Sequence, residues 1–170
     1  MASLIDELIL VLTQENNEYK DLVLLSHEKT QVIVKGDIEK LQQITDVEQN
    51  YITKLNKLEK KRTEVINDIA TVLCKNPDEL TVKAIADLLS GQPQEREKLC
   101  TIHDELKMTL NNMVTVNDLN KNLVNQSLEM IEFDMNLVKS IYQEPETANY
   151  SKNAYNTSRS TGAGMFDAKQ

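Results

Sequence analysis

The fold is decided by residues 41–72, which read LQQITDVEQNYITKLNKLEKKRTEVINDIATV. One stripe recurs at every third or fourth position of this stretch for more than four heptads, and most of its members are apolar. The stripe consists of Leu41, Ile44, Glu48, Tyr51, Leu55, Leu58, Arg62, Val65, Ile69 and Val72. This spacing predicts a long amphipathic helix, which needs a second helix to bury its apolar face.

The segment before this stretch supplies that second helix. Apolar residues recur at helical spacing through residues 4–33, and Ser3 offers an N-cap. Gly36 ends the segment because glycine suits the left-handed position that follows a helix, and Asp37 caps the next helix. Because the connection is so short, the two helices are predicted to form an antiparallel hairpin.

Two further helices are predicted after the hairpin. Pro77 ends the second long helix, and Thr81 caps a short amphipathic piece that closes near Gly91. Residues 95–142 contain neither Gly nor Pro, which predicts a third long helix. Its first stripe consists of Leu99, Ile102, Leu106, Met113, Val116 and Leu123.

The predicted fold class is all-α. We expect an elongated, coiled-coil-like three-helix bundle, made of the long antiparallel hairpin, the third long helix and a short connecting helix. Residues 1–142 are predicted to form a single helical domain, with helices at about 3–34, 38–75, 82–90 and 95–142. Residues 143–170 are rich in Asn, Ser, Thr and Tyr, and we expect a disordered, flexible tail there.

Charge and composition limit the classes of partner. The formal net charge is −8, which disfavours nucleic acid and anionic lipid as general partners and favours protein. No apolar run approaches the roughly 20 residues that a membrane span requires, so we expect no stable membrane insertion. The N-terminus is too acidic and polar for a signal peptide, and the interpretation is a cytoplasmic protein.

The sequence contains no pattern typical of an enzyme, a metal site or a cofactor site. Cys100 and His103 lie one helical turn apart, but no other thiol or imidazole is placed to complete a zinc site. The glycines do not cluster into a phosphate-binding loop. A basic concentration, formed by Lys54, Lys57, Lys60, Lys61 and Arg62, is interpreted either as a solvated face or as a docking place for an acidic protein patch.

Glu48 and Arg62 occupy positions in the predicted interhelical seam. A buried, unpaired charge costs several kcal/mol, so either each side chain is paired or the seam is wet at these levels. A polar layer of this kind fixes the register of two helices.

A candidate interaction surface lies in the second half of the third long helix. Two apolar stripes, displaced by one residue and thus by about 100°, run side by side there. The first candidate stripe is Val124, Leu128, Ile131, Met135, Val138 and Tyr142, and the second passes through Ser127, Met130, Asp134, Leu137 and Ile141. The width of this combined apolar face is expected if the helix packs against two neighbours, or if its seam shifts through a stutter. It is also expected if the face forms a groove for an amphipathic helix of a client.

Several short patterns resemble those of one known family. They are Glu15-x3-Tyr19-x2-Leu22, Gly36-Asp37, Leu41-x2-Ile44-x3-Glu48-Gln49, Leu55-x2-Leu58-Glu59-x2-Arg62, Asn117-x2-Asn120-x-Asn122-Leu123, Ser127-Leu128 and Gly164-Met165-Phe166-Asp167. In order and helix length, residues 4–142 resemble the FlgN-type flagellar export chaperones.

This resemblance implies a function that periodicity alone does not. It implies a non-enzymatic chaperone without cofactors that binds the C-terminal helices of hook–filament junction proteins, keeps them unassembled and delivers them to the flagellar type III export gate. It implies client binding at Val124, Leu128, Ile131, Met135, Val138 and Tyr142. We expect a monomer or weak homodimer; the alternative is a structural coiled-coil adaptor that self-associates through the same wide face and has no secretion client.

Overall fold

The computed structural model describes residues 2–142, of which 92% are helical and none forms a strand. The elements are α1 (Ala2–Lys35), α2 (Ile38–Leu73), a 3-10 turn (Pro77–Glu79), α3 (Val82–Leu88) and α4 (Pro93–Tyr142). The predicted all-α class and helical bundle are confirmed. The tail predicted for residues 143–170 lies outside the described residues.

The chain divides into two units, residues 1–131 and residues 132–170. The first unit contains α1, α2, α3 and α4 as far as Ile131. The described part of the second unit, residues 132–142, is helical with exposed side chains throughout. The single domain predicted for residues 1–142 stays a prediction.

The turn between α1 and α2 follows the capping chemistry that the sequence predicts. Gly36 adopts a φ of 68°, in the left-handed region that suits glycine, and its N–H donates to the carbonyl of Ile33 at 3.0 Å. The carboxylate of Asp37 accepts a hydrogen bond from the Lys40 N–H at 3.0 Å and so caps α2. This cap fixes where the hairpin reverses.

The main core lies at the end of the first unit where α1 begins and α2 ends. α3 and the first turns of α4 close this end, so four helices share one apolar cluster. Its buried members are Ile5, Leu8, Leu12, Val65, Ile69, Ala70, Leu80, Ile85, Ala86, Leu89, Leu99, Ile102 and Leu106. A smaller cluster further along the bundle consists of Leu22, Leu55 and Met113.

The assignment of Val72 to the seam is wrong, because its side chain is 53% exposed. α2 ends at Leu73, where Cys74 takes a left-handed conformation with a φ of 50°. Leu80 and α3 complete the core on the side of Ala70 and Leu73, so Val72 faces solvent. The heptad pattern on α2 could not show where α3 would pack.

Candidate protein-binding surface

The first half of α4 is anchored in the bundle. Its buried side chains are Leu99, Ile102, Leu106, Thr109, Met113, Val116 and Asn120. All but two of these belong to the stripe that the sequence predicts for this helix. Thr109 was missed as a core residue, because a polar side chain at a stripe position gives no apolar signal.

Thr109 and Asn120 each join α4 to α1 through hydrogen bonds. The Thr109 hydroxyl donates to the side-chain oxygen of Asn16 at 2.8 Å, and the Asn16 amide donates to Glu105 at 3.1 Å. Further along, the Asn120 amide donates to the carbonyl of Ser26 at 2.9 Å, and the Thr30 hydroxyl donates to the Asn120 oxygen at 2.6 Å. Each of these hydrogen bonds forms only when its donor and acceptor lie opposite each other. Together they therefore set the register of α4 against α1.

Two ion pairs set the register of α2 against α1 in the same way. Arg62 donates to Glu15 at 2.8 Å, and Lys29 donates to Glu48 at 2.6 Å. Of the two possibilities for Arg62 and Glu48, the structure therefore shows pairing. Burial raises the pKa of the Glu15 carboxyl above its ordinary value, and the nearby Arg62 guanidinium opposes that shift.

Most basic side chains of the concentration on α2 form contacts within the hairpin. Lys54 pairs with Glu18 at 3.3 Å, and its ammonium lies 5.1 Å from the centre of the Tyr51 ring. Lys61 pairs with Glu7 at 3.4 Å. These contacts favour the interpretation of this run as a solvated, ion-paired face of the hairpin.

The anchoring of α4 ends just before the predicted client-binding residues. Thr30 lies opposite Asn120, and α1 ends at Lys35. At 1.5 Å per residue, no turn of α1 therefore lies opposite α4 beyond about residue 125. Val124 is accordingly half-buried, whereas Leu128 and Ile131, in the same unit, are 59% and 54% exposed.

In the second unit the remaining predicted residues are exposed as well. Met135, Val138 and Tyr142 expose half or more of their side chains. The second stripe is exposed too, at Met130 in the first unit and at Leu137 and Ile141 in the second. Exposed apolar side chains in such number on one helix are typical of a surface that binds another protein.

Phe133 belongs to this exposed set and was missed by the sequence analysis. Its side chain is 67% exposed. It lies three residues after Met130 and four before Leu137, so it borders the second stripe on the helix surface. That spacing was available in the sequence and could have revealed it.

The described residues hold no group of three or more His, Cys, Asp or Glu side chains that could bind a metal ion. Cys74 and Cys100 are both free and exposed, and His103 lies 3.1 Å from the Asp104 carboxylate. None of the helices in residues 2–142 has the length and apolar character needed to cross a bilayer.

Comparison with known proteins identifies the family. The family profile described as "FlgN protein" matches residues 1–158. The chain is also similar to "Uncharacterized protein YvyG" of Bacillus subtilis (strain 168), with 26% identity over 152 residues that cover 89% of each chain. No solved structure matches the chain. The matched segment includes every described residue, and the protein therefore belongs to the FlgN family of non-enzymatic flagellar export chaperones.

Proposed function

We propose that this protein works in the cytoplasm as a chaperone for hook–filament junction proteins. It binds their C-terminal helices, keeps them unassembled and delivers them to the flagellar type III export gate. The family supports the general role of export chaperone. The client class and the export gate come from the resemblance of the sequence to that family.

The observation that carries the proposal is the change in burial along α4. The helix is fixed to α1 up to Asn120, and from Leu128 onward its apolar side chains are exposed. We propose Val124, Leu128, Ile131, Met135, Val138 and Tyr142 as the client-binding residues. An amphipathic client helix would cover these side chains with its own apolar face, which removes apolar area from water.

The test measures binding of the C-terminal segment of a hook–filament junction protein from the same organism by calorimetry. Compared with the wild type, the double variant Leu128→Ala with Ile131→Ala should bind about ten-fold or more weakly, because two apolar side chains at a binding surface together contribute more than 1.4 kcal/mol. Leu24→Ala is the matched control, since Leu24 is 68% exposed on α1. The melting temperatures of all these proteins should agree within a few degrees.

A wild-type chain that binds no junction segment would refute the proposal. The same exposed side chains also fit the self-associating adaptor, and the solution mass distinguishes the two functions. A stable oligomer that dissociates in the double variant and binds no junction segment would support the adaptor. A monomer or weak dimer that binds the segment supports the chaperone.

A further inference from the structure

A groove lies between α2 and α4 in the middle of the first unit, away from the client-binding residues proposed above. It contains a cleft of about 280 Å³. Leu22, Leu55 and Met113 form an apolar floor, and Ile52 on the α2 side of the cleft is 43% exposed. The cleft therefore combines an apolar floor with a wall that is partly exposed to solvent.

Nearer the main core, the same side of α4 is covered by α3. Val82 and Ala86 of α3 line a cleft together with Leu99, His103 and Lys107 of α4. α3 also belongs to the cluster that contains Val65, Ile69 and Ala70 of α2. At this level the space beside α2 and α4 accepts an amphipathic helix, although α3 is only seven residues long.

The face of α4 that meets α3 continues beyond it. Residues seven apart lie on one helix face, with a drift of about 20° per heptad. Two such series start at the residues beside α3: His103, Leu110, Asn117 and Val124, and Lys107, Val114, Lys121 and Leu128. After α3 ends, this face has no covering helix among the described residues, and Val114 is 59% exposed.

The open part of the groove has the length of a short helix. From Leu110 to Val124 it measures about 21 Å at 1.5 Å per residue, which corresponds to about four helical turns. At its far end the series reaches Val124 and Leu128, the first two residues of the proposed client-binding surface. A client helix that contacts Val124 and Leu128 can therefore continue into the groove.

Charge indicates which helix would fit. The exposed cleft side chains Ile52, Asn56 and Asn117 are uncharged, as is Val114 on the neighbouring series of α4, and the Lys29–Glu48 pair of the cleft lining is already satisfied. Lys107 and Lys121 lie on the α4 flank, and neither forms an ion pair within residues 2–142. In a chain with a net charge of −8, these unpaired lysines favour an occupant with acidic side chains beside its apolar stripe.

We propose that the α2–α4 groove binds one amphipathic client helix of about four turns, with acidic side chains along one flank of its apolar stripe. The helix enters past Leu128 and Val124 and ends near α3, so that α3 and the client helix lie in line along α4. This proposal rests on the proposed function, because the occupant is part of the client. It adds a second contact, formed by both α2 and α4.

The experiment measures binding of two kinds of probe, a natural segment and a pair of designed peptides, to the full-length chain. The first is the C-terminal segment of the junction protein described above. The second is a designed 14-residue helical peptide with an apolar stripe and a glutamate flank, together with a matched peptide that carries a lysine flank. Variants Val114→Asp and Ile52→Asp alter the groove, and Leu24→Asp is the control on an exposed part of α1. Equal melting temperatures would show that all of them fold.

We expect Val114→Asp and Ile52→Asp each to weaken binding of the junction segment and of the glutamate-flanked peptide by about ten-fold or more, with no change for Leu24→Asp. Lys121→Glu should weaken binding of the glutamate-flanked peptide by several-fold and strengthen binding of the lysine-flanked peptide. That exchange of preference reports a direct charge contact, which a purely structural role for Lys121 would not produce.

The outcomes separate the two proposals. If the junction segment binds and the groove variants leave its affinity unchanged, the groove proposal is overturned and the chaperone proposal stands. If the glutamate-flanked peptide binds in the groove and the junction segment does not bind at all, both proposals are overturned, because the proposed occupant is part of that client. A dimer that dissociates with Val114→Asp would make a second copy the occupant and overturn the proposal, as would a wild type that binds neither probe.

Discussion

The two halves of α4 carry apolar residues at the same helical spacing but differ in burial. From Leu99 to Asn120 the stripe is buried against α1, α2 and α3, whereas from Leu128 onward apolar side chains expose half or more of their surface. Periodicity therefore shows that a helix has an apolar face and does not show what covers it. In the first half the cover comes from the same chain, and in the second half we propose that it comes from a client.

The sharpest test of this comparison introduces a charge into each half. Leu99→Asp places a carboxylate at a fully buried position and should unfold the first unit or lower its stability by several kcal/mol. Leu128→Asp should change the melting temperature by only a few degrees, because the side chain stays in water. Thermal unfolding followed by circular dichroism measures both, and equal losses would show that the two halves do not differ in burial.

The next largest effect concerns the ion pair that aligns the hairpin on which α4 packs. Arg62→Ala leaves the Glu15 carboxylate buried without a partner, and the free energy of unfolding should fall by about 3 kcal/mol at neutral pH. Glu15→Gln in the same chain should restore most of this loss, because it removes the charge. Urea unfolding of the two single variants and the double variant measures the coupling, and additive losses would contradict a direct pair.

A smaller effect is expected where the buried half of α4 ends. Asn120→Ala removes the hydrogen bonds to the Ser26 carbonyl and from the Thr30 hydroxyl, which should cost about 1 kcal/mol, because Thr30 can still donate to Ser26 at 3.1 Å. Asn122→Ala, two residues on and exposed, is the matched control and should be neutral. If hydrogen exchange shows no faster opening of α4 in Asn120→Ala, then Asn120 does not hold the helix.

The smallest effect is a pH dependence. Because the folded-state pKa of Glu15 is raised, its stabilising contribution is complete below the unfolded-state pKa and is lost as pH rises through the folded-state pKa. Glu15→Gln lacks this dependence. The stability of the wild type relative to Glu15→Gln should therefore fall as pH rises above the ordinary pKa of a glutamate carboxyl, and should level off above the raised folded-state pKa. Parallel stability curves for the two proteins would contradict the raised pKa.

The sequence by itself determined the all-α class, the hairpin and the apolar face on the last long helix. These features depend on local chemistry: the 3-4 spacing, Gly36 at a left-handed position and Asp37 as an N-cap. The sequence also placed Glu48 and Arg62 in the seam, because both fall on the 3-4 spacing of α2, and it left open whether they are paired or the seam is wet. It could not name Lys29 and Glu15 as those partners, since the pairing depends on the register of two helices.

Only the tertiary structure decided which apolar side chains are covered. Val72 and Val65 have the same spacing on α2, yet Val65 is buried and Val72 is exposed, because α3 packs on the other side of the last turn. Leu106 and Leu128 differ in the same way, because α1 ends before it can reach Leu128. Burial depends on where other helices end and pack, and those positions follow from contacts between residues far apart in the chain.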